Sequence, residues 1–270
     1  MNLQGKVAII VPFYKAELTV YEQIALQQCE RVLGNHIKIA IKPRKLKLPD
    51  FLDTINFNEV VDFDNLYFEN IDGYNRLMLS TEFYSKFLSF EYILIHQLDV
   101  FVFKDELSDW CNRDLDYVGA PWIRPVEHTD IIKAIKSKIQ YAMHTRFDIK
   151  KNGVPSEKQF ENRVGNGGFS LRRVKQFYDL TIQMRDKIDY YLQQKGVHEY
   201  NEDAFWSIEV NRKRKTLNIP PLNVGLQFAF ESSPERALKL NQQQLPFGCH
   251  AWDLYADFWR PVFKQYGFEI

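Results

Sequence analysis

Gln97-Leu98-Asp99 lies within the most apolar run of the chain, Tyr92 to Phe103, where Ile93, Leu94, Ile95, Val100, Phe101 and Val102 surround a single carboxylate. A run of this kind is a buried strand, so Asp99 stands where a core strand meets a cleft. A carboxylate there needs a partner: a metal ion, an arginine or lysine, or a bound ligand. A capped strand end with a salt bridge is the plain alternative. Three other segments offer chemistry. Val164 to Arg172 holds Gly165, Gly167 and Gly168 beside Asn166, and glycine lets a backbone approach a ligand closely, although it also serves any tight turn. His198 to Trp206 puts Glu202 and Asp203 at the start of a helix expected to be capped by Asn201, where acids could also merely complement the helix dipole. Pro246 to Trp252 sets His250 among aromatics, as a metal ligand or as a hydrogen-bonded core histidine.

The elements that must position these residues are legible in outline. Strands are expected at Lys6–Tyr14, 36–42, Glu59–Phe63 and the Asp99 run, with helices over Glu17–Leu33 and about Tyr74–Phe87. Strands alternating with helices predict an α/β fold whose mainly parallel central sheet carries helices on both faces. Ligands of such sheets bind at the carboxyl ends of the strands. That rule makes Pro12, Tyr14, Lys42, Asp64 and Gln97 candidates for a ligand pocket, with Arg76 placed to pair with an anionic group such as phosphate. No Gly-x-Gly-x-x-Gly or Walker sequence follows the first strand, which argues against dinucleotide oxidoreductases and P-loop enzymes. A further strand is expected at Asp116–Trp122 and a helix at Val174–Tyr191. Between them, 124–156 reads as a basic amphipathic insertion with Ile131, Ile132, Ile135, Ile139 and Met143 interleaved with Lys133, Lys136, Lys138 and Arg146. Such a helix either packs its apolar stripe on the domain, lies on an anionic membrane surface or covers an acceptor groove.

The 270 residues carry 35 basic and 35 acidic side chains, so no overall field recruits nucleic acid. Cys29, Cys111 and Cys249 are odd in number and widely spaced, which fits reduced thiols in a cytoplasmic protein better than a disulfide framework. No run reaches the roughly 18 apolar residues of a membrane span, and Met1 to Lys6 is expected to lead directly into a strand without a signal-peptide apolar segment. The expectation is a single domain over 1–270 in two halves, 1–110 and 111–270, located in the cytoplasm with the inner membrane face as an allowed site.

Taken in order, Gln97-Leu98-Asp99, Asn166-Gly167-Gly168-Phe169-Ser170, Glu202-Asp203-Ala204-Phe205-Trp206 and Phe247-Gly248-Cys249-His250 resemble the GT-A class of nucleotide-sugar glycosyltransferases, and within it a poorly characterised family sharing these segments. The resemblance implies a GT-A fold and sugar transfer from a nucleotide-sugar donor to a hydroxyl of a glycan or glycolipid, inverting and dependent on Mn or Mg. It implies a donor half at 1–110 and an acceptor and catalytic half at 111–270, the nucleotide of the donor at Pro12, Tyr14, Lys42, Asp64, Arg76 and Gln97, Asp99 and His250 as metal ligands, Asp203 as base with Glu202 beside it, and an acceptor site at Asn166, Gly167, Gly168 and Trp206. Gln97 departs from the class, which has an acid at that place. The competing expectations are a carbohydrate-binding module stacking sugars on Trp122, Trp206, Trp252 and Tyr255, and a sugar nucleotidyltransferase, which would open with a glycine-rich loop where this chain has Pro12-Phe13-Tyr14-Lys15.

Overall fold

The computed structural model describes residues 5–48, 55–124 and 130–270. Its centre is a six-stranded sheet. The strands are β1 (Gly5–Pro12), β2 (Ile37–Pro43), β3 (Glu59–Phe63), β4 (Phe90–His96), β5 (Tyr117–Gly119) and β6 (Phe169–Arg173). The order is β3-β2-β1-β4-β6-β5. The first four run parallel, and β6 is antiparallel to both β4 and β5. The sheet is therefore mixed and mainly parallel, as expected, and it draws strands from both halves of the chain.

Alternation along β1 explains why both faces are covered. Ile9 and Val11 join a core with Leu26, Cys29 and Leu33 of helix α1 (Val20–Leu33), while Ala8 and Ile10 join a second core with Leu77 and Met78 of α2 (Ile71–Met78) and Phe83 and Tyr84 of α3 (Thr81–Ser85). A strand buried on both faces must be apolar throughout, which is why these strands were conspicuous in the sequence. A third, aromatic core with Phe101, Trp252, Trp259 and Phe263 lies under a small sheet formed by 101–102, 229–230 and 248–249.

Several expected elements break where local side chains compete for the backbone. The helix expected over Tyr74–Phe87 is two helices, because the Ser80 hydroxyl accepts the Phe83 N–H at 3.0 Å and starts a new one. The helix expected over Val174–Tyr191 divides at Met184 into α5 (Val174–Gln183) and α6 (Arg185–Leu192). The first helix begins later than Glu17, where Thr19 and Glu22 form a reciprocal capping box. The basic insertion contains α4 (Ile131–Arg146); residues 125–129 lie outside the described residues. Among the described residues no helix is long and apolar enough to cross a membrane.

Candidate functional site

β4 ends at His96, and the chain turns through Gln97, Leu98 and Asp99, with the Val100 N–H bonded to the Gln97 carbonyl at 3.2 Å. Asp99 thus projects from a turn just past the strand, not from the strand itself. It borders a cleft of about 600 Å³ at the carboxyl end of the parallel strands, which Pro12, Tyr14, Tyr74, Gln97 and Trp252 also line. Among the described residues the cleft carries four carboxylates, Glu22, Glu69, Asp99 and Asp253, against one lysine, Lys15. Lys15 and the Tyr14 hydroxyl both reach Glu22, at 2.8 and 3.2 Å. An acid-rich cleft suits cations or cation-bridged anions.

His250 arrives at the same place from the other end of the chain. Its Nε2 lies 3.2 Å from Asp99 Oδ1 and 3.0 Å from Gln97 Oε1, while its Nδ1 lies 3.3 Å from Glu231 Oε1. Burial disfavours the imidazolium, but Asp99 and then Glu231 outweigh burial and lift the His250 pKa to about 10. Burial likewise opposes the Asp99 carboxylate, and His250 overcomes it, leaving Asp99 below its ordinary value. Asn166 holds Glu231 from behind through a 2.6 Å bond from Nδ2, and its Oδ1 accepts the Gly168 N–H at 3.0 Å.

The glycines turn out to make room for side chains. A Cβ on Gly168 would stand 2.2 Å from His250 Nε2 and 2.6 Å from Gln97 Oε1, and one on Gly167 would stand 2.1 Å from Glu202 Oε1. Two adjacent glycines thereby seat the His250 cluster and the Glu202 segment side by side. Asn166 and Gly168 are spent on this internal arrangement, in place of the expected direct contact with an acceptor.

Beyond Gly167, Glu202 is held by Arg172 through two bonds, Nη2 to Oε1 at 2.8 Å and Nη1 to Oε2 at 3.1 Å, with both side chains buried. Its backbone N–H is capped by Asn75 Oδ1 at 3.0 Å, and Asn75 also bonds Asn201 Oδ1, so the expected capping role of Asn201 passes to Asn75. Glu202 is therefore engaged structurally, whereas the neighbouring Asp203 is half-buried and accepts only the Ala204 N–H, at 2.7 Å, among its resolved hydrogen bonds. Burial, and after it the Glu202 charge, raise the Asp203 pKa to about 8.

Other expected residues fall elsewhere. Trp206 is fully enclosed against Tyr84, Phe177 and Phe205 with its Nε1 donating to the Met78 carbonyl at 3.3 Å, so its ring cannot stack on a sugar. Lys42 pairs with Asp62 at 2.8 Å, Asp64 caps the turn at Leu66, and Arg76 is exposed on α2; none of the three lines the cleft. Sequence reasoning missed Glu231, Arg172, Asn75 and Tyr74. The first three are brought in by long-range folding and carry no local signal. Tyr74 had one, since it follows the Asn70 cap on a helix leading to the cleft: its hydroxyl is buried beside Gln97 without a well-formed hydrogen bond.

A family described as "Protein of unknown function (DUF5672)" matches residues 57–250. No curated protein matches. Among solved structures, the chain is similar to the galactosyltransferase LgtC in complex with donor and acceptor sugar analogs, at 15% identity over 90% of this chain and 86% of that one, with a TM-score of 0.50. It also aligns with a glycosyltransferase involved in the glycosylation of the major capsid of PBCV-1 (12% identity, 92% and 93% covered, TM-score 0.47). A third is mouse xyloside xylosyltransferase 1 in its apo form (10% identity, 92% and 98% covered, TM-score 0.48). The first of these likenesses establishes the fold, which is GT-A.

Proposed function

The chain belongs to the DUF5672 family, and we propose that it is a glycosyltransferase moving a sugar from a nucleotide-sugar donor to a hydroxyl of a glycan or glycolipid, with inversion. What supports this most is the convergence of Gln97, Asp99 and His250 at the carboxyl end of β4, beside a cleft large enough for a nucleotide sugar. Gln97 Oε1, Asp99 Oδ1 and His250 Nε2 face one another. With the His250 Nε2 proton displaced by the ion, they would form an oxygen and imidazole set suited to Mn or Mg. Glu231 on Nδ1 stands where a carboxylate orients a ligating histidine. Among the described residues no three His, Cys, Asp or Glu side chains cluster to hold an ion by themselves, and oxygens of the donor would have to supply the remaining ligands. When bound, the ion would neutralise charge on the departing diphosphate.

The protein's own groups do the rest. Pro12, Tyr14 and Tyr74 bound the donor's space. Asp203 is the base: with a pKa near 8 it holds a proton tightly enough to take one from an acceptor hydroxyl, and the Arg172 pair keeps Glu202 out of competition. The three cysteines are buried and free, which suits the reducing cytoplasm where we place the protein.

The test is thermal-shift titration with UDP-, GDP-, CMP- and dTDP-sugars, with and without Mn, followed by assay of nucleoside diphosphate release. Mn-dependent stabilisation by one nucleotide, with release on adding acceptor, is expected. Stabilisation without any release would favour a binding module, the reading that Gln97 in place of an acid supports. Full turnover in excess EDTA would remove the metal.

A further inference from the structure

We infer that α4 and the adjoining loop 213–215 form a docking surface for an anionic lipid bilayer. An ordinary surface helix buries its apolar stripe. In α4 the arrangement is reversed: Ile132, Ile135, Ile139 and Met143, at helical spacing, are 76, 56, 56 and 49% exposed, and Phe147 just past the helix is 70% exposed. The face turned to the protein is carried by Ser137 and Thr145, which are buried, and by the half-buried Tyr141 between them, over whose ring the Arg163 guanidinium lies. At 100° per residue the apolar crest is flanked by Lys136 and Lys133 on one side and by Lys138 on the other, with Arg146 closing its C-terminal end, all exposed. That is the cross-section of a helix lying in a membrane interface, with side chains in the acyl boundary and ammonium groups at headgroup level.

A second observation points the same way. The Arg146 guanidinium donates to the Lys213 carbonyl and Arg212 Nη1 to the Thr145 carbonyl at 2.7 Å, fastening the loop to the end of α4. This brings Lys213, Arg214 and Lys215, all exposed, beside the crest. Over 131–151 there are six lysines and arginines and one acid, Asp148, which is taken up by Arg212 at 3.2 Å and Lys150 at 3.8 Å. In a chain of zero net charge, so much cation around one apolar stripe is a segregated field. Charge selects the occupant: a second copy docking symmetrically would bring lysine flanks together, whereas anionic headgroups complement them. The inference does not depend on the reaction proposed above.

Flotation of the full-length protein with vesicles of phosphatidylcholine alone, or with one quarter phosphatidylglycerol, tests it at about 0.1 and 0.5 M salt. Binding to the anionic vesicles only, weakened by salt, is expected. The triple variant Lys213→Ala/Arg214→Ala/Lys215→Ala should weaken partitioning about 100-fold, at about five-fold per cation. Ile132→Ser/Ile139→Ser/Met143→Ser should weaken it at least about tenfold. Both variants should keep wild-type circular dichroism and nucleotide-induced stabilisation, since none of these residues touches the cleft. Failure of the wild-type protein to float with anionic vesicles, unchanged flotation of both variants, or a lipid-free dimer that the serine variant dissolves would overturn the inference.

Discussion

Two charged clusters flank the Gly167-Gly168 segment, and they are built oppositely. On the Glu202 side, one guanidinium meets one carboxylate fork to fork, Arg172 is wholly buried, and Ser170, Tyr84 and the Gly167 carbonyl take up its remaining donors. On the His250 side, one imidazole serves two carboxylates and an amide oxygen, and Asp99 keeps 38% of its side chain exposed to the cleft. The first cluster is electrically closed and geometrically complete. The second has surplus negative charge facing open space. A closed pair specifies structure; an open, over-acidic one has capacity left for a ligand. Asp203, one residue from the closed pair, inherits the effect of its charge without any of its bonds.

The largest expected effect separates Asp203 from Glu202. Asp203→Asn should lower turnover about 10²–10⁴-fold while leaving nucleotide binding intact, the usual contribution of a general base. The linkage sign runs in its favour as a functional group: a carboxyl whose pKa is about 8 when folded against an ordinary 3.8 binds its proton more tightly in the native state. Its contribution to stability is therefore full below pH 3.8 and lost as pH rises through about 8, so Asp203→Asn should raise the melting temperature at pH 8.5. Wild-type turnover in this variant, or retained anomeric configuration of the product by NMR, would withdraw the role from Asp203.

Next in size is the closed pair itself. Glu202→Gln or Arg172→Met leaves one charge buried without its partner and should cost about 3–5 kcal/mol in denaturant melts. Asp99→Asn, at the open cluster, should cost far less stability and abolish Mn-dependent stabilisation by the nucleotide. Equal destabilisation by both would erase the distinction between the clusters. Glu202→Gln also removes the second-largest influence raising Asp203, so the pH midpoint of turnover, expected near 8 with activity rising toward alkaline pH, should move acidward.

What the sequence disclosed follows the range of the forces involved. The parallel strands were legible because burial on both faces demands apolar runs, and Asp99 stood out as the one charge within such a run. The Asn166-Gly167-Gly168 segment was visible but its purpose was not: only folding shows that Glu202 and His250 occupy the space a Cβ would fill. Trp206 follows the acids closely and looked like a stacking platform, yet a π-helical turn over Phe205–Glu209 directs it into the core. Glu231 and Arg172 reach the site from positions 65 and 30 residues away from Asn166 and Glu202, and no local periodicity encodes such pairings.

A smaller effect tests the seam between the clusters. Gly168→Ala would place a methyl 2.2 Å from His250 Nε2, and because His250 is pinned on both nitrogens it cannot swing aside freely. A loss of about 1–3 kcal/mol is expected, the usual range for overpacking, together with weakened nucleotide-induced stabilisation. Gly153→Ala is the control: its φ of +85° strains any side chain, but a Cβ there meets nothing within 4 Å, so it should cost stability without touching ligand binding. Parallel behaviour of the two variants in the nucleotide titration would show that the glycine does not seat the site.

The smallest effect is the most discriminating, because stability and binding should move in opposite directions. The Tyr74 hydroxyl lies buried at the cleft beside Gln97 without a well-formed hydrogen bond, and burial raises its pKa well above the ordinary tyrosine value, so it stays a neutral donor. A buried polar group left unpaired costs free energy, so removing it should help the folded protein. Tyr74→Phe is expected to leave the melt unchanged or to stabilise by up to about 1 kcal/mol. If the hydroxyl waits for an oxygen of the donor nucleotide, the same variant should bind that nucleotide about three- to tenfold more weakly by calorimetry, the worth of one neutral hydrogen bond. Destabilisation with unchanged affinity would mean that Tyr74 is satisfied within the protein, and would place the open side of the molecule's charge asymmetry at Asp99 and His250 alone.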